Sequence, residues 1–151
     1  MPVSARYQFR QNFSVSAQEA FDWCTAFDVD DHALMGEGEA KREIIHIAKG
    51  SLLLKDIFPK PTGTVEKQKL VQLYPDQHRW ISTHVTGPNR YSQFLYVIKP
   101  RGKDTSFLEF TALHIEYDEK VDSEALAERL CREDAAAWVQ LAKAMATELR
   151  K

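Results

Sequence analysis

The longest regular pattern of apolar and polar positions covers residues 122–151 and predicts one amphipathic helix. Its apolar side chains recur at steps of three, four or eight, which places them on one stripe of a helix. They are Leu126, Leu130, Trp138, Leu141, Met145 and Leu149. Asp122 is placed to cap the first turn, and acidic residues precede basic ones, as the helix dipole favours. A helix of this kind, roughly 40 Å long, needs a broad apolar partner.

A two-residue period dominates the middle of the chain and predicts strands. The first strand is expected at 6–13, and six more are expected at 40–48, 52–58, 64–74, 79–86, 90–99 and 106–117. Short turns rich in glycine and proline separate the last six. Because short turns join antiparallel neighbours, these strands are predicted to form a meander.

Two short helices are predicted between the first strand and the meander. Ser16 and Glu19 have the spacing of a capping box, and the second helix is expected at 29–34, before Gly36. Residues 1–151 contain no linker or repeat and are predicted to form a single α+β domain. Its expected architecture is a seven-stranded curved antiparallel sheet wrapped around the long C-terminal helix, which alone is large enough to fill the concave face.

This order of elements resembles the START/Bet v 1 superfamily, and within it the polyketide cyclase/dehydrase-like SRPBCC proteins. The segment from Ser16 through Glu19 to Trp23 and the final helix containing Trp138 carry the resemblance. The resemblance implies a helix-grip fold with a hydrophobic cavity between the sheet and the last helix. Members bind lipids, sterols, polyketides or other apolar ligands, and some are cyclases, hydroxylase domains or co-chaperone activators. They share no catalytic motif, so no catalytic residue is carried over.

Composition narrows the class of protein. The net charge is −2, with lysines and arginines scattered along the chain, which argues against a nucleic-acid partner. No apolar run approaches the ~18 residues that span a bilayer, and the N-terminus lacks the apolar core of a signal peptide. Cys24 and Cys131 are expected to be free thiols, which suits a cytoplasmic protein. Monomer and homodimer both remain open.

No familiar catalytic or cofactor signal is present in the sequence. There is no phosphate-binding glycine loop and no nucleophile elbow. The five histidines do not have the spacing of metal ligands. We therefore expect no cofactor and no metal, and name no catalytic residue.

Asp134 falls in the middle of the apolar stripe of the last helix. A carboxylate there is costly unless it is paired or faces a wet cavity. It is therefore either a polar group of the ligand pocket or a structural partner of an arginine or histidine on a strand, unless the helix is rotated enough to expose it. Trp138, on the same stripe, is a further candidate for the pocket wall.

Strand residues supply the other candidates for the pocket. Trp80, His84, Tyr96 and Glu109 are expected to bring polar tips to it. In the last strand, a solvent-facing Glu116 turns Glu109 and Thr111 inward, although a bulge would exchange the two faces. For 90–99 both faces remain plausible. Arg42 either pairs with Asp134, binds a ligand carboxylate, or is solvated.

Three functions fit these observations. The first is a carrier or sensor that binds a small hydrophobic ligand of lipid, polyketide or aromatic type between the sheet and the C-terminal helix. The second is a cyclase or dehydratase-like enzyme, which needs two titratable groups within hydrogen-bond reach, such as Asp134 with His84 or Glu109. The third is a protein-interaction module resembling the co-chaperone activators, which would expose a large apolar patch.

Overall fold

The computed structural model describes residues 2–27, 40–118 and 120–149. The strands are β1 Val3–Phe13, β2 Lys41–Ala48, β3 Ser51–Lys60, β4 Gly63–Tyr74, β5 Arg79–His84, β6 Gln93–Pro100 and β7 Ser106–Glu116. The helices are α1, Ala17–Cys24, between β1 and β2, and α2, Ser123–Leu149, after β7. A 3₁₀ turn, Pro75–Gln77, joins β4 to β5.

The seven strands form one antiparallel sheet in the order β1-β7-β6-β5-β4-β3-β2. Strands β2 to β7 pair in sequence as the predicted meander, because short turns connect them. The first strand joins the last, so that β1 and β2 form the two edges. Helix α2 lies on the concave face and packs along β1. This is the helix-grip architecture that the sequence predicted.

The predicted caps form at both helices. The Ser16 hydroxyl accepts a hydrogen bond from the Glu19 backbone at 3.2 Å, and Glu19 Oε1 accepts one from the Ser16 backbone at 3.3 Å. At the start of α2, Asp122 Oδ2 accepts a hydrogen bond from the Ala125 N–H at 2.9 Å. These contacts satisfy backbone donors that the first turn of each helix leaves without partners.

The hydrophobic core lies between the concave face of the sheet and the two helices. Side chains of each strand alternate between the two faces, so every second residue points into the core. Helix α2 buries Leu126, Trp138, Leu141 and Met145, most of the predicted stripe, while Leu149 at its end is 38% exposed. Buried core residues on the sheet are Tyr7, Phe13, Leu52, Leu54, Val71, Trp80, Ile98, Leu108, Phe110 and Ala112.

Two turns differ from the prediction. Strand β6 begins at Gln93 rather than at residue 90, because Gly87 and Tyr91 adopt positive φ angles of 105° and 73° and the Tyr91 N–H bonds back to the His84 carbonyl. The turn predicted at 59–63 shortens to two residues, since Gly63 adopts a φ of 132° that other residues rarely reach. The second short helix, predicted at 29–34, lies outside the described residues.

Candidate functional site

A cavity of about 440 Å³ lies between the concave face of the sheet and helices α1 and α2. Strands β2 to β6 form its floor, and Trp23, Phe27 and Trp138 approach it from the helical side. Its volume falls in the range of small-molecule sites in proteins. The lining residues are Trp23, Cys24, Phe27, Arg42, Leu54, Phe58, Lys60, Val65, Lys67, Lys69, Val71, Trp80, Ser82, Pro88, Tyr96, Trp138 and Leu141.

Aromatic rings make one side of this cavity. Trp80 on β5 and Tyr96 on β6 are cross-strand partners, and their rings stack with centroids 4.6 Å apart and planes at 4°. The ring of Trp138 on α2 lies 6.0 Å from that of Tyr96. Burial raises the pKa of the Tyr96 phenol, which is therefore a neutral hydroxyl at physiological pH. The wall offers flat apolar surface with a polar tip.

Charged side chains make the other side, around the fully buried carboxylate of Asp56. The Arg42 guanidinium donates to both of its oxygens, at 2.6 and 2.9 Å, and Lys69 Nζ lies 3.2 Å from Oδ2. The strand register explains this cluster. Arg42, Asp56 and Lys67 are neighbours across β2, β3 and β4, and Lys69 lies two residues further along β4 on the same face.

Four of the predicted site residues line the cavity: Arg42, Trp80, Tyr96 and Trp138. The partner of Arg42 is Asp56 rather than Asp134, and its side chain is only 8% exposed, so it is not solvated. For β6, of the two faces left open by the sequence, the one carrying Phe94, Tyr96 and Ile98 points inward.

His84 lies on the concave face of β5, next to Lys69 across the ladder, but is not among the lining residues. Its ring centroid is 5.0 Å from that of Phe94. Burial, together with the charges of Lys69 and Lys67, lowers the pKa of His84 to about 3. Its imidazole is therefore neutral at physiological pH.

The predicted orientation of β7 was wrong. The residues that point inward are Ser106, Leu108, Phe110, Ala112 and His114, so Glu109 and Thr111 lie on the outer face. There Glu109 forms ion pairs with Arg10 at 2.9 Å and Lys99 at 3.1 Å. Glu116 belongs to the inward-facing set of residues, but it lies at the end of the strand, where a carboxylate reaches water from either face. The charge of Glu116 was therefore a poor guide to which face of β7 points inward.

Asp134 does not line the cavity. Its carboxylate accepts a short hydrogen bond from the Tyr7 hydroxyl of β1. It is therefore a structural partner of a strand residue, although that residue is a tyrosine rather than the predicted arginine or histidine. Since Glu109 lies on the outer face, Asp134 is not brought together with it. No hydrogen bond joins Asp134 to His84 in the described structure, so neither proposed acid–base pair is formed.

Sequence reasoning missed Asp56, Lys67 and Lys69. The sequence feature that could have identified them is a charged residue that takes the place of an apolar one in the two-residue alternation of a strand. Asp56 continues the series Leu52, Leu54 and Phe58 on β3, and the two lysines lie between Val65 and Val71 on β4. A charged residue on the apolar face of a strand indicates either a buried ion pair or a wet cavity. In this protein the charged residues form a buried ion pair beside a cavity.

Within residues 2–27, 40–118 and 120–149 no group of three or more histidine, cysteine or acidic side chains is arranged to hold a metal ion. Over the same ranges, no helix has both the length and the apolarity needed to span a membrane.

Solved structures with the same architecture are known. The Zhui aromatase/cyclase from Streptomyces sp. R1128 matches at a TM-score of 0.70 and 12% identity, over 96% of this chain and 93% of that one. Ara h 8.0201 matches at a TM-score of 0.69 and 10% identity, over 95% of this chain and 99% of that one. A norcoclaurine synthase point mutant from Thalictrum flavum has been solved in complex with a transition-state analogue. It matches at a TM-score of 0.69 and 15% identity, over 100% of this chain and 99% of that one.

No family model matches the sequence, and no curated protein matches it either. The likeness therefore concerns the fold, and it spans nearly the whole of each chain. The TM-scores for an aromatase/cyclase and a norcoclaurine synthase are similar, 0.70 and 0.68, so they do not assign the chain to one group of proteins with this fold rather than another. The chain adopts the helix-grip fold of the Bet v 1-like SRPBCC proteins, as its order of elements predicted.

Proposed function

We propose that this protein binds a small hydrophobic molecule, of aromatic or polyketide type, in the cavity between the sheet and α2, in a carrier or sensor role. The observation that carries the proposal is the cavity of about 440 Å³ with the stacked Trp80 and Tyr96 on its wall. Protein cores are normally close-packed, so a space of this volume between the sheet and α2 supports the proposal that a ligand binds there.

The structural neighbours support this proposal. One is a norcoclaurine synthase in complex with dopamine and hydroxybenzaldehyde, which are small aromatic compounds. Two others are an aromatase/cyclase and a di-domain ARO/CYC from the steffimycin biosynthetic pathway. Neither pairing considered for Asp134 forms among the described residues, so the proposal is restricted to binding.

The neutral dye N-phenyl-1-naphthylamine, whose fluorescence rises in apolar surroundings, tests the proposal. We expect saturable binding with one dye per chain. Ser82→Phe, which places a ring in the cavity, should weaken binding roughly tenfold, a change of about 1.4 kcal/mol. Thr83→Phe, on the opposite face of the same strand, is the matched control and should bind as the unaltered protein does.

Circular dichroism establishes that both variants are folded. A folded Ser82→Phe variant that binds the dye unchanged would refute the cavity as the binding site. Absence of saturable binding to the unaltered protein would refute the proposed function.

A further inference from the structure

The polar side chains that line the cavity are hydrogen-bond donors. Within the described residues, every lining side chain that contains nitrogen or oxygen belongs to an arginine, lysine, tryptophan, serine or tyrosine, and none is a carboxylate, carboxamide or imidazole. Guanidinium, ammonium and indole groups only donate, whereas a hydroxyl can donate as well as accept. A ligand that hydrogen-bonds to these side chains therefore has to bring the acceptor.

Most of these donors already have partners in the protein. Arg42 and Lys69 contact the carboxylate of Asp56, at 2.6 and 3.2 Å. The ammonium nitrogens of the other two lining lysines lie 5.8 and 5.3 Å from the centroid of the Phe58 ring. The indole nitrogen of Trp23 donates to a glutamate near the end of α2. These side chains are engaged within the protein, so they are not the groups assigned to a ligand.

The Tyr96 hydroxyl differs, because no described residue forms a hydrogen bond with it. Its ring is held by three others: it stacks on Trp80, meets the Phe110 ring at 72° with centroids 5.1 Å apart, and lies 6.0 Å from Trp138. The hydroxyl is not sealed in, since Arg79 Nε is the only fully buried side-chain nitrogen or oxygen without a partner among the described residues. Because Tyr96 lines the cavity, the accessible surface of its hydroxyl opens there.

This hydroxyl stays protonated. Burial raises the pKa of the Tyr96 phenol, and the nearby charge of Asp134 raises it further. A protonated donor in an apolar surrounding loses free energy unless an acceptor meets it. A carbonyl oxygen meets it without bringing an ionised group out of water, which would carry a much larger desolvation cost.

Resting on the proposed function, we propose that the ligand carries a neutral carbonyl group, which accepts a hydrogen bond from the Tyr96 hydroxyl while the apolar body of the ligand fills the rest of the cavity. The class of ligand is an aromatic ketone or a quinone. Tyr96 is then a residue that determines specificity, and the rings around it hold its donor in place.

A matched pair of ligands isolates the carbonyl oxygen. 2-Acetylnaphthalene and 2-isopropenylnaphthalene have nearly the same shape and differ by an oxygen in place of a methylene group. Each is titrated at pH 7 against bound N-phenyl-1-naphthylamine. Comparing a variant with the unaltered protein, ligand by ligand, cancels the difference in hydrophobicity between the two compounds.

Tyr96→Phe keeps the ring and removes only the hydroxyl. It should weaken binding of the ketone roughly fivefold, the size of one neutral hydrogen bond, and leave binding of the hydrocarbon within about twofold. Tyr74→Phe is the matched control, because it makes the same change on the outward face of β4. It should alter binding of neither ligand, and circular dichroism establishes that both variants are folded.

Infrared spectroscopy tests the hydrogen bond without relying on a variant. The carbonyl stretching band of bound 2-acetylnaphthalene, labelled with carbon-13 at the carbonyl, should lie at lower frequency than in cyclohexane, because a hydrogen bond weakens the C=O bond. In Tyr96→Phe the band should return toward its position in cyclohexane. A band at the cyclohexane position in the unaltered protein would overturn the carbonyl site.

The outcomes separate the two proposals. A ketone that fails to displace the dye, or whose binding is unchanged in Tyr96→Phe, overturns the carbonyl site and leaves the cavity proposal intact. Equal weakening of ketone and hydrocarbon also overturns it, since the tyrosine would then act through packing. Absence of saturable dye binding to the unaltered protein would instead overturn the proposed function.

Discussion

At the scale of single residues, Asp134 and Tyr7 form a pair whose protonation is biased by burial. Removal from water raises the pKa of Asp134, the hydrogen bond from Tyr7 opposes this, and the nearby charge of Glu133 raises it again. Burial and the same hydrogen bond raise the pKa of Tyr7, which stays a neutral donor. The pair holds α2 against β1, but in its ionised form it carries a desolvation cost.

Asp134→Asn should therefore stabilise the protein in a pH-dependent way. A folded pKa raised above the unfolded one means that the contribution of Asp134 to stability is fully present below the unfolded pKa and is lost as the pH rises through the folded pKa. Asparagine keeps the acceptor for Tyr7 without the charge, so its advantage should be absent near pH 3 and present at pH 7. Urea unfolding at several pH values measures it.

Glu128→Gln, an exposed acid on the same helix, is the control for loss of one negative charge. A lower stability of Asp134→Asn at pH 7 would contradict the prediction, because it would show that the ionised pair is worth more than its desolvation cost.

At the scale of secondary-structure elements, Asp56 joins three strands. Its carboxylate lies on β3 and is bound by Arg42 of β2 and Lys69 of β4. Burying one carboxylate with two cations is favourable only while all of them remain together. The ion cluster therefore ties the edge strand β2 to the sheet beside the cavity.

Asp56→Ala should lower the free energy of unfolding by about 3–5 kcal/mol, the loss expected when a buried ion pair is broken by removing one partner. It leaves the charges of Arg42 and Lys69 partly desolvated without their carboxylate. Denaturant unfolding measures the change, with Lys55→Ala on the outward face of the same strand as the control. A loss below about 1 kcal/mol would show that water replaces the carboxylate at little cost.

At the scale of the whole molecule, the two halves of the sheet differ in burial. Strand β7 is hydrogen-bonded on both sides, to β1 and β6, and every second residue from Ser106 to His114 is buried. Strand β2 is an edge strand whose residues are exposed apart from Arg42. Local opening should therefore require less free energy at β2 than at β7.

Hydrogen exchange followed by mass spectrometry tests this difference. Amides of β2 should exchange at least about tenfold faster than those of β7, after correction with the rates of the denatured chain. Equal protection of the two strands would contradict the prediction and indicate that the sheet opens only as a unit.

The architecture could be predicted from the sequence because its determinants are local. The period of two over 40–117, the short turns and the capped stripe from Asp122 each specify an element from near neighbours. Of the candidate residues, Arg42, Trp80, Tyr96 and Trp138 line the cavity, although the sequence left open both the inward face of 90–99 and the role of Arg42. Boundaries at 59–63 and 87–92 were less predictable, since they depend on positive φ angles at single residues.

Only the tertiary structure decided which face of each strand points inward and which distant residues contact one another. Both faces of β7 are apolar enough to be buried, so its orientation depended on pairing with β1 and β6 rather than on its own residues. The hydrogen bond between Asp134 and Tyr7, which are 127 residues apart, also depended on tertiary structure. So did the contacts of Asp56 with Arg42 and Lys69. Sequence alone determined the elements and their order, because those follow from local periodicity. Strand pairing determined which charges line the cavity, because Arg42, Lys60, Lys67 and Lys69 lie on three strands and share one face only in the register of the assembled sheet.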